Sequence, residues 1–194
     1  MTYENLVKEL SYVNHSRENR AKYAQMVIEN QKLIPVLLKI LFEVDSKISC
    51  RAAWVLEFVT KKNPSIILPY IDVFTSKMGD VYLDSAVRPI AKICEYLIEY
   101  YLDKKIKPLK QRLKPVHLER IIAVNFDYLI GDHKIAPKAY AMQSLYWLGF
   151  QFTWIHPELK IILERDYHTG SSGYKARARK ILNQIKLSTH EFLI

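Results

Sequence analysis

The sequence predicts an all-α chain, an α-α superhelix of about five antiparallel helix pairs. Apolar residues recur at helical spacing nearly everywhere, and the breaks between periodic segments are short. In 46–62, Ile48, Ala52, Val55 and Val59 fall at steps of four, three and four; in 85–101, Val87, Ile90, Cys94, Leu97 and Tyr101 keep the same kind of spacing. The stripe returns as Ala141, Leu145, Leu148 and Phe152, and again as Ala178, Ile181 and Ile185. Sustained strand alternation bounded by hairpin turns is absent, and no Asn-Gly or Asp-Gly pair occurs, so no strand is expected.

Taken in order, the segments pair as 3–14 with 17–30, 32–44 with 46–62, 64–77 with 81–102, 115–130 with 134–153, and 157–167 with 171–186. Ser46, following Asp45, is an N-cap for the second helix of the second pair. Asn63-Pro64 caps the next segment and places proline at its first helical position. The remaining stops are Met78-Gly79-Asp80, Gly131-Asp132, His156-Pro157 and the Gly170–Gly173 turn. Residues 103–114, DKKIKPLKQRLK, read as a longer basic loop or frayed helix. The reading is one domain over 1–186 with a tail at 187–194, LSTHEFLI.

A chain of 194 residues, 49% hydrophobic and 25% charged, is large enough to bury a core without disulfides or metal. Cys50 and Cys94 lie inside apolar helical stripes and are expected to be buried thiols. The segment MTYENLVKEL has neither the basic start nor the apolar run of a leader, and no apolar run approaches the roughly 20 residues of a membrane span. A soluble, cytoplasmic protein without a membrane partner is expected.

The net charge of +9 is unevenly placed: residues 1–100 carry 13 Lys/Arg against 12 Asp/Glu, whereas 101–194 carry 16 against 8. Such a field points to an acidic partner. No two of the six histidines have the spacing that presents paired ligands on one helix face, so neither a metal nor a cofactor is expected. Phosphate-cradling glycine loops and a GxSxG nucleophile turn are absent, which leaves catalysis without a recognisable motif.

An internal repeat organises the pairs. LIPVLLKILF (33–42) aligns with ILPYIDVFTS (67–76), which sets Pro35 and Pro69 34 residues apart and predicts kinked first helices. Near the start of the second helices a basic residue is followed three positions later by an apolar or small one: Arg51 and Trp54, Arg88 and Ala91, Lys138 and Ala141, Lys175 and Ala178. Two helices per unit with a period in the high thirties match a HEAT or armadillo type of stack, and SAVRPIAKICEYL (85–97) resembles a HEAT-repeat second helix.

In such a stack the second helices line the concave surface. The resemblance therefore implies a groove carrying Arg51, Arg88, Lys138, Lys175 and Arg177, with Trp54, Glu57 and Asp84 beside them. The expected function is a non-enzymatic interaction module for a protein, peptide or polyanion. The alternative is a nucleic-acid binder: some HEAT-like proteins are DNA glycosylases for alkylated bases, and Trp54, Glu57, Arg88, Trp147 and Trp154 are residues of the types they use. RAAWVLEFV (51–59), LIGDHK (129–134), WIHPELK (154–160) and GYKARAR (173–179) are also similar to short bacterial helical proteins, some labelled adenylosuccinate lyase. Of the lyase signature SSxMPxKxNP the chain has only Ser171, Ser172 and Lys175, without the Met-Pro and Asn-Pro.

Overall fold

Helical periodicity becomes helix throughout a computed structural model that describes residues 1–44, 46–103 and 112–191, with side chains to 188. The α-helices are α1 (Tyr3–Leu10), α2 (Arg17–Glu29), α3 (Ile34–Leu41), α4 (Lys47–Lys62), α5 (Ile71–Lys77) and α6 (Asp84–Leu102). They continue as α7 (Pro115–Ile130), α8 (Ile135–Leu148), α9 (Ile155–Tyr167) and α10 (Ser172–Glu191). Short 3-10 segments occupy Gln31–Leu33, Pro64–Tyr70 and Met78–Asp80. No strand occurs among the described residues, and none of their helices is long and apolar enough to cross a membrane.

Contacts group the chain into two compact units, Met1–Ile121 and Ile122–Ile194. In the first, α4 packs against α2, α3 and α6, and α1 packs against α3 and α4. The sequence explains why α4 is central. Ala52, Ala53, Val55, Leu56 and Val59 are fully buried, and Cys50, Glu57 and Thr60 are buried with them, so apolar contact surrounds most of the helix. Two small residues at 52 and 53 leave room for neighbouring helices to approach. In the second unit α8, α9 and α10 pack mutually around Leu145, Leu148, Leu159, Leu163, Ala178 and Ile181, all without exposed surface.

The stripes at 87–101, 141–148 and 178–185 are buried as the spacing requires, and so are Cys50 and Cys94, whereas Phe152 lies past the helix end and is half-buried. Burial pushes the Cys94 thiol up to about 12. Ser46 caps α4 in a reciprocal box with Ser49, and Asn63 accepts the Ser65 amide ahead of Pro64. Of the basic stretch 103–114 expected as a loop or frayed helix, 104–111 lie outside the described residues.

Several boundaries differ from expectation, each for a local reason. Helix α1 stops at Leu10 rather than 14, because Asn14 accepts the Ser16 amide while its own amide donates to Asn19, giving the chain a turn in place of another helical rung. The segment 64–77 is not one kinked helix. Pro69 has no N–H for the Ser65 carbonyl, and the chain winds as 3-10 until Tyr70 before α5 begins. Pro35 sits in the first turn of α3, where a missing N–H costs nothing, so it marks a start and not a kink. Helix α8 ends at Leu148 instead of 153; α9 begins at Ile155; α10 runs to Glu191, into the expected tail, whose last three residues are outside the described set.

Candidate functional site

Pro89 determines the local chemistry of the strongest cluster. It lies inside α6 and lacks the N–H that would normally bind the carbonyl four residues back, on Ser85. The Trp54 indole on α4 fills that role: its Nε1–H donates to the Ser85 carbonyl at 2.6 Å. One turn further along α4, Glu57 is buried, its side chain 8% exposed, and its Oε2 accepts from Nη2 of Arg88 at 2.7 Å. Arg88 itself is one-third exposed, so the pair sits at the rim of the core with its positive end outward.

Arg20, from α2, completes the group. Its guanidinium carbon lies 5.1 Å from the Phe58 ring centroid and 5.8 Å from that of Trp54, a cation over two aromatic faces. The side chain is steered there by hydrogen bonds to the carbonyls of His15, at 2.6 Å, and Ser16, at 3.4 Å. Burial holds the guanidinium below its ordinary value; the Glu57 carboxylate opposes that shift, and Arg88 and Arg17 add to it. Further along α6, Lys92 bonds Glu95 at 2.7 Å and stands 4.7 Å from the Tyr96 ring centroid. Three helices thus present cations interleaved with aromatic rings, with two buried carboxylates, Glu57 and Glu95, pairing Arg88 and Lys92.

Of the residues singled out in the sequence, the structure brings Trp54, Glu57 and Arg88 together. Arg51 points elsewhere: Nη1 donates to the carbonyls of Ser11, at 2.6 Å, and Leu10, at 3.4 Å, where α1 ends and its dipole is negative. Asp84 is exposed in the first turn of α6, favourably placed for that helix dipole. Lys138, Lys175 and Arg177 belong to the second unit. There Arg177 joins α10 to α8 by a 3.3 Å bond to Gln143, and Lys138 helps hold the Asp166 carboxyl below its ordinary value, an effect due first to the hydrogen bond from Arg165. Ser171, the best match to a lyase serine, caps α10 by accepting the Tyr174 amide at 3.3 Å. Trp147 is half-buried in that unit, and Trp154 is exposed and stacked on Phe126 at 5.7 Å.

No family model, curated protein or solved structure matches the chain.

The sequence reading passed over Arg20, Phe58 and the Lys92–Tyr96 pair. Arg20 carried a usable signal, because it stands near the start of its helix with an apolar residue, Tyr23, three positions on, the same pattern that picked out Arg51 and Arg88. Among the described residues no cluster of three or more His, Cys, Asp or Glu side chains could hold a metal ion.

Proposed function

We propose that the chain is a HEAT-like, non-enzymatic interaction module whose α2–α4–α6 face binds an acidic segment of a protein or peptide. The observation that carries this reading is the Arg20 guanidinium resting on Trp54 and Phe58 beside the outward-facing Arg88. Arginine and tryptophan dominate the energetics of protein interfaces because a planar cation and a rigid ring offer large contact area with little entropy to lose. Glu57 sets the reach of the site by anchoring Arg88 from behind, and the hydrogen bonds to His15 and Ser16 do the same for Arg20. Preorganised guanidinium groups are suited to carboxylates, which they meet with two parallel hydrogen bonds. Successive packing of α2, α4 and α6 supports a repeat stack within Met1–Ile121.

A nucleic-acid reading uses the same cations but needs an aromatic face free for a base. Trp54 has Arg20 over its ring and its N–H committed to Ser85, which favours the peptide. The test is a fluorescence titration of a Trp147→Phe, Trp154→Phe chain, in which Trp54 is the remaining tryptophan. Saturable quenching by an oligoglutamate peptide, weakened about tenfold by Arg20→Gln, is the expected result. Response to a single-stranded oligonucleotide alone would transfer the site to the nucleic-acid reading, and no response to either would overturn both.

A further inference from the structure

A concavity lies within the first unit, between α3 and the segment that runs from Tyr70 into α5. Its volume is about 360 Å³, at the lower end of the range that holds small ligands. Leu38, Phe42, Tyr70 and Val73 form an apolar lining, and beneath it Phe42 meets Phe74 at 6.3 Å between ring centroids. Val73 is 45% exposed, so its side chain is open to a ligand in the groove.

Three charged side chains line the same groove: Lys39, Glu43 and Lys77. They are not equivalent. The Tyr3 hydroxyl donates to Glu43, and that hydrogen bond is the chief cause that raises the Tyr3 phenol, so the carboxylate is engaged outside the groove. Lys39 rests 4.8 Å from the Tyr3 ring centroid. Lys77 pairs with no carboxylate among the described residues. An apolar floor with an available cation selects a ligand that has an apolar body and one negative end.

We infer that this groove binds an amphipathic carboxylate, a medium-chain fatty acid whose chain lies over Leu38, Phe42 and Val73 and whose head group meets Lys77. The lining runs from Pro35 to Phe42 along α3, about 10 Å at the helical rise, which matches an extended medium-chain acyl group. A free carboxylate at Lys77 gains a charge-assisted hydrogen bond, and the chain removes the Val73 side chain from water.

The experiment is isothermal titration of the full chain with sodium decanoate and, separately, with decylammonium, both below the concentration at which they form micelles. Saturable 1:1 binding of decanoate, at least tenfold tighter than that of decylammonium, is expected. Val73→Asp, which places a like charge on the floor, should abolish detectable binding, and Lys77→Glu should weaken it about tenfold. Both positions are exposed, and unchanged helical circular dichroism would establish that the variants fold. Equal binding of the two amphiphiles, an unaffected Val73→Asp variant, or no saturable binding of decanoate would each overturn the assignment. The comparison of amphiphiles on the unaltered chain, of net charge +9, reads charge selection by the whole surface, and Lys77→Glu assigns it to the groove.

Discussion

At the scale of single residues, proline at 89 and tryptophan at 54 are two halves of one solution. A proline five residues inside a helix leaves a carbonyl without its rung, and the indole N–H from the neighbouring helix supplies the missing donor. Trp54→Phe removes that donor together with part of the indole's contact area, and the donor's share should be about 1 kcal/mol in urea unfolding. In a Pro89→Ala chain the new amide can bond Ser85 directly, and the same Trp54→Phe change should then cost about 1 kcal/mol less. A coupling of that size in the double-mutant cycle is the prediction; equal costs in the two backgrounds would mean that the bond contributes nothing. The sequence displays both residues, but their relation spans 31 positions between Trp54 and Ser85 and has no local signature.

Among the elements, the junction of α5 and α7 is made by charge. Asp72 accepts from Arg120 at 2.8 Å and lies 3.6 Å from Nε2 of the buried His117, whose Nδ1 accepts the Lys114 amide. The Arg120 hydrogen bond is the chief reason the Asp72 carboxyl sits below its ordinary value of 3.8, followed by the charges of Arg120 and His117. A depressed folded value means that the pairing stabilises fully above about 3.8 and is lost as pH falls through the lower folded value. Asp72→Asn should therefore lower the thermal midpoint at neutral pH, with the gap to the parent chain closing below pH 3.8. A gap that stayed constant into acid would show that the carboxylate charge is not what joins the helices. Elements of this kind mark the limit of what was legible. Helix existence and core faces followed from spacing, and caps such as Ser46 and Asn63 from neighbours within three residues. By contrast, Arg51 finds its carbonyls 40 and 41 positions away, and the role of Pro69 depends on which hydrogen bond the chain gives up, neither of which periodicity encodes.

For the whole molecule, the question is whether anions are drawn by a site or by a field. Residues 101–194 carry 16 Lys/Arg against 8 Asp/Glu, a field expected to attract polyanions at low salt independently of the α2–α4–α6 face. Exposed charges are screened beyond about 8–10 Å at 0.1–0.15 M salt, whereas partly buried ones keep more of their interaction. Arg20 and Arg88 are partly buried and held by hydrogen bonds, and their contribution should survive where the diffuse attraction fades. Oligoglutamate affinity should accordingly fall steeply from about 50 to 100 mM salt and then level off, since only the screened part decays with ionic strength. Arg20→Gln should lower the plateau about tenfold and leave the steep phase, because it subtracts one of two site cations from a chain of net charge +9. Superimposable salt profiles for the parent and the variant would assign all of the binding to the field and remove the site from the account.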